Sequence, residues 1–153
     1  MTCSVEVNIR ADAESIWSLL TDATSFPRWN STVTSVKGQI REGERLRLHV
    51  PGTNRTFTPM VSGVVAARRM IWSDGLPWIF TGIRTFVLKP HDHGSTTFVM
   101  EERFSGLMFA LVKRMLPDFR PIFEAYANDL KREAERIAHA RGGEGKPIVG
   151  GDA

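Results

Sequence analysis

Between residues 33 and 106 the chain alternates apolar and polar residues almost without a break, and this confines it to a fold built on an antiparallel sheet. Leu46, Leu48 and Val50 alternate with Arg45, Arg47 and His49. Phe57, Val61 and Val65 share one parity. Met70 and Trp72 follow, then Phe86 and Leu88, then Phe98, Met100 and Phe104. Turn signals at Glu42-Gly43, Pro51-Gly52, Asp74-Gly75 and His91-Asp92-His93-Gly94 separate these runs. The result is about six strands, enough for one strongly curved sheet.

Helical patterns flank the β region. Residues 4–9 form a half-buried strand, with Val5, Val7 and Ile9 on one side and Glu6 and Asn8 on the other. Asp12 is placed to cap a helix whose buried side carries Ile16, Trp17, Leu19 and Leu20. Residues 22–30 (DATSFPRWN) read as a second, short helical turn with Phe26 and Trp29 tucked inward. After residue 106, the apolar run 107–116 is interrupted at Pro117, and Asp118 offers a new helix start that tolerates Pro121 in its first turn. Phe119, Phe123, Tyr126, Leu130, Ala134 and Ile137 then recur at spacings of three and four, predicting a long amphipathic helix. Its outward face is expected to carry Asp129, Lys131, Arg132, Glu135 and Arg136. Gly142-Gly143 should end it, leaving residues 142–153 as a disordered tail behind a single domain at 1–141.

Composition narrows the class. At 153 residues, 42% hydrophobic and 24% charged, the chain suits one soluble globular domain. A single cysteine, Cys3, excludes an intramolecular disulfide and a cysteine-based zinc cluster. Neither a membrane-spanning run nor signal-peptide character is visible, so a cytoplasmic location is expected. The net charge of +3 comes from basic residues scattered along the chain, which argues against nucleic acid as a partner. No Gly-x-Ser-x-Gly, P-loop or serine–histidine triad is present, and His91 and His93 have no obvious further metal ligand close by, in a turn whose Asp92 and Gly94 are explained by turn chemistry without a metal. No cofactor and no metal is expected.

One strand, two short helices, a run of antiparallel strands and one long helix make an α+β order. A curved sheet with a helix across its concave side predicts an elongated apolar cavity between them. Several segments carry a resemblance at this point. They are residues 13–30 (AESIWSLLTDATSFPRWN), Arg69-Met70-Ile71-Trp72, Thr81-Gly82 leading to Phe86, residues 102–107 (ERFSGL) and residues 128–135 (NDLKREAE). Over roughly residues 3–140 the sequence resembles the START/Bet v 1-like (SRPBCC) superfamily, in particular its polyketide cyclase/dehydrase-like group. The resemblance implies the helix-grip fold, a curved antiparallel sheet wrapped around a long C-terminal helix, with two short helices after the first strand. It also implies a fold whose members bind lipids, sterols, quinones or polyketides, only some of them catalysing a reaction.

Glu102 is the most informative single residue. It shares the even parity of Phe98, Met100 and Phe104, so its carboxylate should face the apolar side and need a partner there. Arg84, in phase with Phe86 and Leu88, lies beside it if the turn between the two strands has an odd number of residues, and on the opposite face if it has an even number. The pair reads either as a structural ion pair or as a polar anchor for a ligand. Trp72, Trp78, Phe80, Phe86, Phe98, Met100, Phe119, Phe123 and Tyr126 are the apolar ligand-binding candidates. The apolar loop 75–80 (GLPWIF) and the run 107–112, followed by Lys113 and Arg114, are expected to cover the cavity mouth and bury one another. The alternative is a greasy, basic-rimmed entrance that makes transient membrane contact.

These features point to a carrier or sensor for a hydrophobic small molecule such as a lipid, quinone or polyketide, acting as a monomer or homodimer. The alternatives are a cyclase/dehydratase-type lyase or isomerase and a protein-interaction module. In the enzyme, Glu102 would be the general acid/base and Arg84 would stabilise an enolate-like oxygen.

Overall fold

The computed structural model describes residues 1–52, 55–112 and 118–143. Strand β1 (Thr2–Ile9) leads into helix α1 (Ala13–Thr21). Asp12 caps that helix as its sequence predicts, with Oδ1 accepting from Ser15 N at 2.7 Å. A single 3-10 turn, Ala23–Ser25, runs directly into the short helix α2 (Phe26–Trp29), whose Phe26 and Trp29 are buried.

The β region contains seven strands: β2 (Ser35–Lys37), β3 (Arg47–His49), β4 (Thr56–Phe57), β5 (Met60–Val65), β6 (Arg69–Leu76), β7 (Phe80–Pro90) and β8 (Thr96–Ser105). They divide into two hydrogen-bonded sheets. Five strands run in the order β1-β8-β7-β6-β5, all pairs antiparallel, and β2-β3-β4 form the second sheet. The two sheets are stitched where Leu46 N donates to Pro59 O and Val61 N to Glu44 O, both at 2.8 Å.

The shared parity expected of Phe57, Val61 and Val65 fails at two points. Phe57 belongs to the second sheet, and β5 bulges between Ser62 and Val65. Gly63 takes a φ of +61° in that bulge, and Val65 turns outward while Val61 stays fully buried.

Helix α3 (Leu107–Val112) follows β8, and helix α4 (Arg120–Gly143) lies against the sheet. Gly142 and Gly143 are therefore helical; the rest of the expected tail, 144–153, lies outside the described residues, as do Lys113, Arg114 and Pro117. The apolar stripe of α4 is inward as predicted, with Phe123, Tyr126, Leu130 and Ala134 buried and Phe119 and Ile137 packed beside them. Its side chains also meet the outer edge of β1. Lys131 Nζ donates to Asn8 O at 2.6 Å, and Glu135 Oε1 accepts from Arg10 N at 3.0 Å.

Asp129 corrects the expected polar face, because it is buried rather than solvated. Its Oδ2 accepts from Ser31 N at 2.8 Å and Ser31 Oγ at 2.6 Å, and Oδ1 accepts from Arg132 at 2.8 Å. The carboxylate thereby fastens the middle of α4 to the segment after α2. Removing it deletes three hydrogen bonds, two of which join α4 to the segment after α2. Asp129→Ala should lower unfolding free energy by about 1–3 kcal/mol, whereas Arg132→Ala, at the exposed end of the same network, should cost less than ~1 kcal/mol. Urea denaturation of the two variants checks the contrast.

Candidate functional site

The site is built on one cross-strand row. Register pairs Cys3 with Glu102, Glu102 with Arg84, Arg84 with Trp72, and Trp72 with Val61, so five side chains cross the sheet on the face turned toward α4. The turn joining β7 to β8 has five residues, 91–95. That odd number puts the even residues of both strands on the same face and brings Arg84 and Glu102 together.

The pair is close and largely shielded. Arg84 Nε and Nη2 lie 3.0 and 2.6 Å from Glu102 Oε2, and the two side chains are 21% and 14% exposed. Both donors fall on one oxygen. Arg84 also stands over the Phe123 ring, 5.2 Å from its centroid, so the guanidinium is held by a carboxylate on the sheet and an aromatic face on the helix. Gly82, the next inward position of β7, leaves room for the carboxylate: a Cβ there would stand 3.2 Å from Glu102 Oε1.

Beyond the pair the face is apolar. Phe86 packs against Trp72 with ring centroids 5.0 Å apart, and Tyr126 of α4 meets Phe86 at 6.1 Å and Phe98 at 6.3 Å. Trp72, Phe86, Phe98, Met100, Phe123 and Tyr126 are all buried. Where the sequence predicts a cavity, the rings of Trp72, Phe86, Phe98 and Tyr126 stand in mutual contact.

Two polar atoms in this cluster lack a partner: Trp72 Nε1 and Tyr126 Oη are buried and make no hydrogen bond among the described residues. Burial pushes the Tyr126 phenol well above its ordinary range, with nearby Arg84 acting in the opposite direction, so it remains an O–H donor. The tryptophan N–H is a donor only. Together they offer two unmet donors, one on the sheet and one on the helix, next to a charged pair.

At the end of the molecule nearest the pair, Phe119 lies 5.3 Å from Phe104, which stacks on Phe109 at 6.0 Å, and Phe109 meets Phe80 at 6.3 Å. A cleft of about 370 Å³ opens there, lined by Met1, Thr2, Cys3, Ser4, Asp118, Phe119 and Arg120. Cys3 thus belongs to both the cleft and the row. Burial raises its thiol pKa, and Asp118 and Glu102 push the same way, which keeps it a thiol rather than a nucleophilic thiolate. A second cleft of about 530 Å³, beside Arg10, Glu135 and His139, lies at the other end of β1 and has no connection to the row.

The structure therefore brings together Trp72, Arg84, Phe86, Phe98, Met100, Glu102, Phe123 and Tyr126, with Phe80 and Phe119 at the mouth. Trp78 stands apart, 86% exposed at the tip of the β6–β7 turn with a φ of +69°. The expected mutual burial of 75–80 and 107–112 is also corrected. The two segments meet through backbone hydrogen bonds and through inward-facing Phe109 against half-buried Phe80, while Leu76, Trp78, Ile79, Leu107, Met108 and Leu111 stay exposed. Cys3, Phe104 and Phe109 adjoin this cluster but are not among the ligand-binding candidates read from the sequence; the even parity of Phe104 is the available signal. Among the described residues no group of three or more His, Cys, Asp or Glu is disposed to hold a metal ion, and His91 Nε2 lies 2.7 Å from Thr97 Oγ1. No helix of the described residues is long and apolar enough to cross a membrane.

Comparison with known proteins agrees with this architecture. A family model described as polyketide cyclase/dehydrase and lipid transport matches residues 1–135. Among solved structures, MLL2253 of Mesorhizobium loti is similar with a TM-score of 0.72 at 18% identity, over 89% of this chain and 98% of that one. The Helicobacter pylori protein jhp0584 gives 0.71 at 14% identity over 88% of each chain. A START superfamily protein of Mycobacterium smegmatis gives 0.66 at 18% identity, over 89% of this chain and 98% of its own. These likenesses establish the fold. No curated protein matches the sequence significantly.

Removing Arg84 alone strands the Glu102 carboxylate against Phe104 and the rings. Arg84→Leu should destabilise the protein by about 1–3 kcal/mol, and adding Glu102→Leu should recover most of that loss. Urea denaturation of the single and double variants tests this. A double variant no more stable than Arg84→Leu would show that the pair is not the coupled unit described.

Proposed function

The chain belongs to the polyketide cyclase/dehydrase and lipid transport family, and on that premise we propose that it binds an amphiphilic small molecule between the sheet and α4 as a carrier or sensor. The supporting observation is the pair of buried, unpartnered donors, Trp72 Nε1 and Tyr126 Oη, set beside Arg84 and Glu102 in an otherwise apolar interior. Leaving a polar group buried and unbonded costs about 1–3 kcal/mol. A ligand oxygen that accepts from either donor offsets that cost. The ligand that suits the set has an apolar body, such as a lipid, quinone or polyketide, and an acceptor-bearing end such as a carbonyl or carboxylate. Because the rings of Phe86, Phe98, Phe123 and Tyr126 are buried together, binding is coupled to separation of the first turns of α4 from the sheet.

Native mass spectrometry of gently purified protein, followed by denaturing extraction, is the direct test. The expected result is a reproducible added mass that extracts as an amphiphile. Tyr126→Phe should retain or slightly raise stability, because it deletes an unsatisfied hydroxyl, while lowering occupancy by about tenfold. A bare mass, together with no saturable binding of fatty acids, quinones or aromatic polyketides, would overturn the reading. Glu102→Gln then bears on chemistry: turnover of a bound molecule that disappears while binding persists would make the protein an enzyme rather than a carrier.

A further inference from the structure

Two segments that carry no charged residue, 75–83 and 104–112, are held side by side at the mouth of the site. Leu107 N donates to Trp78 O and Met108 N to Ile79 O, each at 2.9 Å. Gly106 makes this approach possible, since a Cβ at that position, with φ at +112°, would collide with the Ile79 carbonyl. The β6–β7 turn and α3 therefore form one fixed unit. Phe109 points inward from it, while Leu76, Trp78, Ile79, Leu107, Met108 and Leu111 project outward with exposures of 64, 86, 49, 76, 47 and 75%. Single exposed apolar residues are ordinary on a protein surface; six contributed by two adjoining segments are not.

We propose that this face docks onto a lipid bilayer, which deepens the carrier reading above and rests on it, because the docked end is the end at which the ligand would pass. A bilayer suits the face better than a protein groove. The face is a protruding turn tip and a short helix rather than a concavity, and its most exposed side chain is an indole, the ring that favours the headgroup boundary. The sequence that continues from the face adds positive charge, which suits anionic headgroups. Lys113 and Arg114 directly follow Val112 in the sequence, with no acid before Asp118. Of the described charged residues that border the face, Asp74 accepts from Thr58 N and Gly75 N, Arg84 is paired with Glu102, Arg103 lies 3.9 Å from Glu101, and Asp118 is matched by Arg120 at 2.8 Å. Behind the face, the rings of Phe109, Phe104 and Phe119 lead toward the Cys3–Glu102–Arg84 row, so that an acyl or isoprenoid chain leaving the bilayer would meet apolar surface up to the polar pair.

The test is co-sedimentation of the full chain with large unilamellar vesicles, some of phosphatidylcholine alone and some of equimolar phosphatidylcholine and phosphatidylglycerol. Ligand occupancy is followed separately by native mass spectrometry. The wild type should sediment with the mixed vesicles and more weakly with the neutral ones. Trp78→Ser combined with Leu107→Ser should reduce binding by about tenfold without changing the thermal midpoint. In the wild type, brominated phospholipid should quench an exposed tryptophan component, a measurement that stands even if the double variant folds poorly. Absence of sedimentation with either vesicle, equal sedimentation of wild type and variant, or a wild-type dimer that the double substitution dissociates would each overturn the docking proposal. A protein that carries an extracted amphiphile yet ignores vesicles would lose this proposal and keep the carrier reading. One that binds vesicles and never carries an amphiphile would lose the carrier reading.

Discussion

The register between β7 and β8 is the constraint on which the remaining structure rests. Ten pairs, from Thr81–Ser105 to Pro90–Thr96, fix which side chains of two long strands face α4. A slip of β8 by one residue would send Phe98 and Met100 into water and bring Val99 and Glu101 inside, and a slip of β7 would exchange Phe86 and Leu88 for Thr85 and Val87 in the same way. The five-residue turn sets that register locally, and fully buried Thr96 secures it by donating from Oγ1 to Ala11 O at 2.9 Å, which also ties the strand to the start of α1. Helix α4 can pack only because this face is apolar. Its Tyr126 and Phe123 then complete the surroundings of the one charged pair the face contains.

Within that packed interior the polar groups are few and unequally served. Arg84 and Glu102 satisfy each other, and Asp129 is bonded by Ser31 and Arg132. Trp72 Nε1, Tyr126 Oη and Asn30 Nδ2 are the buried side-chain atoms left without a partner among the described residues. The Asn30 side chain still has a structural task, since its Oδ1 accepts from Thr32 N and Val33 N and closes the turn after α2. The tryptophan and tyrosine have no such task. Phenylalanine would fill nearly the same space as the tyrosine at lower cost, so the retained hydroxyl beside the indole N–H is what distinguishes this interior from a simple core.

Much of the architecture was legible because it depends on short-range chemistry. Asp12 announces α1, the stripe from Phe119 to Ile137 announces α4, and strict alternation announces β7 and β8. The contact between Arg84 and Glu102 was legible up to one unknown, the parity of a turn, which no strand pattern contains. Other features were illegible for identifiable reasons. The bulge in β5 is a local backbone event at Gly63 that leaves no mark on the apolar sequence. Asp129 sits beside charged neighbours on a helix that looks amphipathic, and its burial is decided by Ser31, a residue 98 positions away. Apolar composition alone could not tell whether 75–80 and 107–112 face each other or face outward, because they join through main-chain atoms.

Both flanks of the five-stranded sheet are partly covered. On β1, Lys131 and Glu135 of α4 take up the main chain at Asn8 and Arg10; beyond β5, residues 43–46 bond back to 59–61. An extended peptide seeking to prolong the sheet would find its hydrogen-bonding positions filled at these points. These contacts shorten the open edge at both flanks and so oppose the strand-to-strand stacking through which open sheets polymerise.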